Sequence, residues 1–181
     1  MKPITDFTHF YSIRPKTLND FSEIINPVTG IDFKCNDVTL CSFAEYLDIL
    51  PDHSDDCKVW EIFLIKNELK TIGITGYYIF KDEPNIPWLT WFGVINEYQR
   101  GGAGAFVLNQ TLKFVRENLK ADFMRVYCID DVVRFYVKNG FKIMGKAKDL
   151  NMTGKCESDD DNVLVCDLGN LDVTNKENVL R

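Results

Sequence analysis

The amino-acid sequence predicts a mixed α/β (α+β) domain, in which about four helices pack on one central sheet of about seven strands. Runs of β-branched and aromatic residues alternate irregularly with amphipathic segments, in the order strand, two helices, three strands, helix, strand, helix, two strands. This order differs from a regular doubly wound fold. Because 181 residues suit one compact core, we expect a single domain over residues 1–170 and a frayed tail over 171–181.

The first part of the chain predicts one strand and two helices. The segment His9 to Arg14 alternates apolar and polar positions and predicts a strand. Thr17 can cap a helix that ends at Pro27, and a second, short helix is expected from Ser42 to Leu50. The intervening residues, Asn26 to Cys41, are expected to form a loop. The first helix is indicated by apolar residues at helical spacing, namely Leu18, Phe21, Ile24 and Ile25.

Three β-rich segments follow. Val59 to Ile65 and Thr71 to Phe80 flank a short polar turn and predict a hairpin. Ile86 to Ile95 is apolar at nearly every position, which is typical of a strand covered on both faces. We therefore expect this third run, the fourth strand of the chain, to lie at the centre of the sheet.

The last third alternates between helix and strand. Helices are expected from Phe106 to Leu119 and from Asp130 to Asn139, with Gly140 at the position of a C-terminal cap. A polar loop is expected from Asn151 to Asp161. The remaining strands are predicted at Phe123 to Ile129, Phe141 to Lys148 and Asn162 to Leu168.

Charge and composition argue against several functional classes. The net charge of −6 disfavours a protein whose main partner is nucleic acid, since phosphate binding needs a basic face. No apolar run approaches the roughly 20 residues of a membrane span, and Met1 to Asp6 does not resemble a secretory signal. We therefore expect a cytoplasmic protein without a membrane partner. The six cysteines form no C-x-x-C pair, so no metal is expected.

The segment from Val94 to Ala105 joins an apolar strand to an amphipathic helix through a glycine-rich turn. Gly101, Gly102 and Gly104 allow a ligand to approach the backbone closely. Unpaired N–H groups and the helix dipole favour an anion there, and Arg100 can add a charged contact. The pattern is neither G-x-x-x-x-G-K-[ST] nor G-x-G-x-x-G, so the glycines alone leave a phosphate site and a tight structural turn both open.

Three segments together resemble the GNAT superfamily of N-acetyltransferases. Gln99 to Gly104 (QRGGAG) fits the family signature Q/R-x-x-G-x-G/A, and Arg134 to Phe141 (RFYVKNGF) is similar to its F-Y-x-K-x-G-F element. Tyr11 to Pro15, followed by Asp20, is similar to the first strand and helix of the family. The resemblance covers roughly residues 9 to 148. It implies a mostly antiparallel sheet with a splay between the fourth and fifth strands.

The resemblance also implies acetyl-CoA as co-substrate, without a metal. The pantetheine arm would lie in the splay, and a backbone N–H of the Phe92 to Val94 segment would polarise the thioester carbonyl. Gln99 to Ala105 would wrap the pyrophosphate through main-chain N–H groups. The residues expected to bind the cofactor are Phe92, Gly93, Val94, Gln99, Arg100, Gly101, Gly102, Ala103, Gly104, Ala105 and Tyr136.

Two residues are candidates for acid–base chemistry. Tyr136 stands where the family commonly has a tyrosine near the cofactor sulfur, and a phenol is protonated at neutral pH and can donate to a departing thiolate. The alternative is that Tyr136 only packs. Glu61 is the candidate base for the acceptor amine, and an outward-facing, solvated carboxylate is its alternative. Many family members carry Asn and Ala where this chain has Ile129 and Val132, which removes one amide contact to the cofactor.

The resemblance implies direct transfer of an acetyl group from acetyl-CoA to a primary amine. Trp91 and Tyr78 are candidates for contacting the acceptor, and both can instead belong to the core. A small-molecule amine and a peptide amine, at a lysine or an N-terminus, remain alternative acceptors. A non-catalytic module that only binds acyl-CoA is a further alternative. A homodimer is possible by similarity to related proteins.

Overall fold

A computed structural model describes residues 10–29, 44, 46, 47, 57–68, 70–152, 155, 156 and 158–171. The predicted loop from Asn26 to Cys41 and the tail from residue 172 onwards lie almost entirely outside these residues. The predicted second helix does so too, although Ala44 and Tyr46 have helical backbone. Within the described ranges, no helix is both long and apolar enough to cross a membrane.

Seven strands form one sheet in the spatial order β1-β2-β3-β4-β5-β7-β6. All neighbouring pairs are antiparallel except β4 and β5, which run parallel. The predicted mostly antiparallel sheet is therefore confirmed, with β4 at its centre. The strands are β1 (Tyr11–Ile13), β2 (Cys57–Lys66), β3 (Thr71–Phe80), β4 (Pro87–Val94), β5 (Phe123–Cys128), β6 (Phe141–Lys146) and β7 (Asn162–Asp167).

The described part of the chain contains three α-helices, one fewer than expected. They are α1 (Leu18–Thr29), α2 (Ala103–Leu119) and α3 (Asp130–Lys138). Helix α1 runs two residues past Pro27, where the sequence predicted its end. A proline ring holds φ near the helical value, so Pro27 loses an N–H bond without leaving the helical conformation. Gly140 follows α3 with φ of 94°, as its predicted role as a helix cap requires.

Both faces of the sheet are covered by helices. Successive residues of a strand point to opposite faces, so the apolar run in β2 serves two cores. Ile62 and Leu64 pack with Phe21 and Ile24 of α1. The other core joins Phe63, Tyr77 and Leu89 of the sheet to buried residues of α2, which are Val107, Leu108, Leu112 and Val115. This packing fixes α2 beneath the centre of the sheet.

Candidate functional site

The central strands β4 and β5 separate almost as soon as they meet. Their ladder consists of one pair, Trp88 with Arg125, near the start of β4. Further along β4, the register with β3 shifts from Gly76 opposite Thr90 to Ile74 opposite Gly93, so β4 contains one extra residue. Trp91 lies in this bulge with φ of 46°. The bulge bends β4 away from β5 and opens the predicted splay.

The N-terminus of α2 lies directly after β4. Gly102 precedes the helix with φ of 92°, a conformation that favours glycine. The first helical hydrogen bond is donated by Phe106 to the Gly102 carbonyl, at 2.9 Å. The backbone N–H groups of Ala103, Gly104 and Ala105 therefore lack helical acceptors. They form the positive end of the helix dipole, which suits an anionic ligand.

A cleft of about 580 Å³, here called the glycine cleft, lies between this helix start, β4 and α3. Two of its lining residues, Arg100 and Lys138, are cationic, and none carries a carboxylate, although the whole chain has a net charge of −6. The cleft is lined by Phe92, Gly93, Val94, Gln99, Arg100, Gly102, Gly104, Ala105, Val132, Phe135, Tyr136, Lys138 and Asn139.

The residues expected to bind the cofactor largely converge on this cleft. Nine of the eleven line it, and Gly101 and Ala103 do not. Ala103 is fully buried in the core beneath the turn. The Gln99 side chain donates a hydrogen bond to the Val94 carbonyl at 3.0 Å, which stabilises the C-terminal end of β4. Lys138 was not among the expected residues, although it belongs to the RFYVKNGF segment.

The glycine cleft has the charge and the apolar lining that suit coenzyme A. A Cβ added at Gly104 would meet the Phe135 ring at 3.6 Å, an ordinary contact, so Gly104 lies against the apolar wall of the cleft. Unpaired N–H groups, Arg100 and Lys138 suit a pyrophosphate, and Phe92 and Phe135 stack at 5.6 Å to form an apolar wall. Ile129 and Val132, which replace the family's Asn and Ala, are 60% and 39% exposed at the adjoining rim.

Tyr136 lies where the glycine cleft meets a second cleft. Its ring packs against those of Phe92, Phe135 and Phe141, with centroids 5.2 to 6.1 Å away. The side chain is buried, and no described residue forms a hydrogen bond with its hydroxyl. Burial, reinforced by Cys128, raises the pKa of Tyr136 above its ordinary value. The phenol is therefore protonated at neutral pH and can donate a proton.

The second cleft, here called the strand cleft, occupies about 300 Å³ in the gap between β4 and β5. Trp91, a predicted acceptor contact, lines it. Asp161 is its single charged lining residue, and sequence reasoning placed it only at the end of a polar loop. The strand cleft is lined by Leu89, Thr90, Trp91, Phe92, Val126, Tyr127, Cys128, Ile129, Val132, Tyr136 and Asp161.

Glu61 and Tyr78 lie outside both clefts. Glu61 is opposite Tyr77 on β3, two strands from β4, and accepts a hydrogen bond from the Arg14 side chain at 2.9 Å. Tyr78 is buried in a cluster with Phe80 and Trp88. The assignment of Glu61 as base and of Tyr78 as acceptor contact stays a prediction.

Within the described residues, no group of histidine, cysteine and carboxylate side chains is arranged to hold a metal ion.

Comparison with solved structures shows the same fold in several acetyltransferases. A GNAT-family acetyltransferase from Staphylococcus aureus superposes with a TM-score of 0.62 and 17% identity, covering 88% of this chain and 99% of that one. A Bacillus subtilis acetyltransferase in complex with CoA gives 0.59 and 15%, covering 87% and 98%. Spermidine N-acetyltransferase from Vibrio cholerae, with CoA and spermine, gives 0.61 and 11%, covering 90% and 97%.

Sequence comparison identifies the family. No curated protein matches the sequence. The family model described as the acetyltransferase (GNAT) family matches residues 27–141, which is more than half of the chain and includes both the glycine turn and the RFYVKNGF segment. Together with the splayed sheet and the glycine cleft, this match shows that the chain belongs to the GNAT family of acyltransferases, whose acyl donor is acetyl-CoA.

Proposed function

We propose that this protein is an N-acetyltransferase, which transfers the acetyl group of acetyl-CoA directly to the primary amine of a small molecule. The observation that carries the proposal is the opposite charge of the two joined clefts. The glycine cleft presents Arg100 and Lys138, whereas the strand cleft presents Asp161. An anionic donor and a cationic acceptor would thus approach Tyr136 from opposite sides.

The donor would bind through main-chain groups and two cations. The N–H groups of Gly104 and Ala105, with Arg100 and Lys138, would hold the pyrophosphate. The pantetheine arm would follow the edge of β4 that β5 leaves unpaired, taking the position of a missing strand. The donor supplies the acyl thioester.

The chain would supply the polar groups that the transition state needs. A backbone N–H of the bulged segment from Phe92 to Val94 would stabilise the developing oxyanion. Tyr136 would give its proton to the departing thiolate. Among solved structures of the same fold, spermidine N-acetyltransferase carries an amine substrate class in its name, which supports a small-molecule amine acceptor here.

The donor site can be tested by calorimetry with acetyl-CoA on wild type, Gly104→Glu and Gly104→Gln. Gly104 is a better position for a substitution than Gly102, because the positive φ of Gly102 would strain any side chain. The Glu variant adds a charge that repels the pyrophosphate, whereas Gln adds nearly the same bulk without it. We expect micromolar binding by the wild type, and affinity at least about 30-fold weaker for Glu than for Gln. Absence of binding by the folded wild type would overturn the proposal.

A further inference from the structure

Asp161 is a buried carboxylate that accepts a single hydrogen bond from the described residues. The residue is 5% exposed and directly precedes β7. Its Oδ2 accepts a hydrogen bond from the Ser158 N–H at 2.9 Å, and no other described residue donates to the carboxylate. Burying an ionised carboxylate is costly unless its oxygens are paired. Oδ1 therefore has the capacity to bind a cationic ligand in the strand cleft that Asp161 lines.

The other titratable groups around Asp161 do not supply a compensating charge. Burial, then the charges of Asp161 and Asp130, raises the pKa of the Cys128 thiol to about 11. Burial, then Asp161, raises the pKa of Cys156 to about 11. Both thiols and the Tyr136 phenol are consequently neutral at neutral pH. The strand cleft then contains one negative charge and no positive one.

Nearby acidic residues have cationic partners of their own. Lys146 donates to Asp130 at 2.8 Å, and Lys148 donates to Asp160 at 2.6 Å. Both carboxylates are largely exposed, and neither lines the strand cleft. The cleft therefore offers one site for one cation, inside a wall of apolar and aromatic side chains such as Trp91 and Ile129.

We propose that Asp161 binds the ammonium group of the acceptor and takes its proton, and that the acceptor is a primary monoamine with an apolar body. The inference rests on the proposed function and names the acceptor class of the same site. Trp91, Leu89 and Ile129 would contact the body of the amine. A diamine would bring a second ammonium group, for which the lining of the strand cleft offers no second carboxylate.

The proton balance is complete with these two residues and solvent. Asp161 takes one proton from the ammonium and later releases it to water. The neutral nitrogen attacks the acyl carbon, a C–N bond forms and the C–S bond breaks. Tyr136 protonates the departing sulfur, and the second nitrogen proton restores the phenol through water. The products are an N-acyl amine, free coenzyme A and one proton in solution.

The test compares wild type with Asp161→Asn, and uses Asp159→Asn as control because Asp159 is exposed in the same loop. The probes are phenethylamine, a monoamine with an aromatic body, and putrescine, a diamine. An asparagine can still accept the Ser158 hydrogen bond through its amide oxygen, so the fold should be retained. We expect Asp161→Asn to lower kcat/KM for phenethylamine about 100-fold at pH 7, while acetyl-CoA affinity stays within about twofold.

The pH profile separates a chemical role from a structural one. As the pH rises towards the pKa of the amine, near 10, free amine accumulates and the deficit of Asp161→Asn should shrink. The wild type should also prefer phenethylamine to putrescine. An equal deficit at every pH, no deficit at all, or a preference for putrescine would overturn the inference. A wild type that binds acetyl-CoA without acetylating phenethylamine would overturn it too, whereas failure to bind acetyl-CoA would instead remove the proposed function.

Discussion

At the scale of single residues, Tyr136 has a polar group in a place where packing gives it no partner. Its ring is enclosed by Phe92, Phe135 and Phe141, and no described residue hydrogen-bonds with the hydroxyl. A phenylalanine would keep these ring contacts, so packing alone does not require a hydroxyl here. Because Tyr136 lines both clefts, a tyrosine at this position is better explained by a ligand at their junction.

Replacing Tyr136 by Phe should separate catalysis from stability. We expect kcat to fall about 100-fold, since the thiolate would leave without its proton donor, while acetyl-CoA affinity changes less than about twofold. The free energy of unfolding should stay close to the wild-type value, because a phenylalanine keeps the ring contacts. Because burial, then Cys128, raises the pKa of Tyr136, ionisation of this phenol should not limit wild-type kcat up to about pH 10. Steady-state kinetics and urea titration measure both effects.

The matched control for that variant is Tyr11→Phe, which removes a phenol that is 45% exposed on β1. It should leave kcat and stability at wild-type values. An equal loss of kcat and of stability in Tyr136→Phe would mean that the hydroxyl serves the fold, and the assignment of Tyr136 as proton donor would then be wrong.

At the scale of elements, an ion-pair network fixes the closed end of the splay. Glu83, in the turn between β3 and β4, accepts a hydrogen bond from Arg125 of β5 at 2.7 Å and pairs with Lys155, before β7, at 2.9 Å. Lys155 also pairs with Asp82 at 2.8 Å. Arg125 lies over the ring of Trp88, its ladder partner in β4. The network thus joins β4 and β5 where they pair and leaves them free to separate beyond.

Glu83→Gln should weaken this junction and change its response to acid. We expect a loss of about 1–3 kcal/mol at pH 7, because Arg125 loses its charged partner and Lys155 keeps only Asp82. Burial opposes ionisation of Glu83, but hydrogen bonds from Lys155 and Arg125 outweigh it, so the pKa of Glu83 lies below its ordinary value. Its stabilising effect is present above the unfolded pKa, near 4.3, and is lost as the pH falls through the folded pKa.

Urea unfolding from pH 7 down to pH 3 tests this expectation. The difference between wild type and Glu83→Gln should be constant above about pH 5 and should shrink below it. Asp122→Asn, which removes an exposed carboxylate before β5, should differ little from wild type throughout. A difference that grows on acidification would contradict the sign of the pKa change and the role given to Glu83.

At the scale of the whole molecule, one sheet connects the seven strands of the described residues, and β4 at its centre contributes to both helical layers. We therefore predict that residues 1–170 unfold as one cooperative unit. The tryptophan signal comes from Trp60 in β2 and from Trp88 and Trp91 in β4, whereas circular dichroism reports all helices and strands. The two urea transitions should coincide. Separate midpoints would indicate two units and contradict the single-domain prediction.

The sequence by itself determined the elements and their central strand. Hydrophobic periodicity is a local property, so β3 and the starts of α3 and β7 were predicted at the residues where they occur. The uniformly apolar run around Trp88 placed β4 in the middle of the sheet, and Gly102 and Gly140 marked two backbone positions with positive φ. The glycine turn and the RFYVKNGF segment were enough to indicate the family, because both are contiguous in the chain.

Only the tertiary structure decided which distant residues share a site. Strand register opened the gap at Trp91 and left Glu61 two strands away beside Arg14. The packing of α3 and of the segment before β7 brought Lys138 to the glycine cleft and Asp161 to the strand cleft. None of these placements follows from local pattern, because a polar residue at a loop end or on a strand looks the same whether it faces water or a cleft. Proximity across the sheet depends on pairing and packing between segments far apart in sequence.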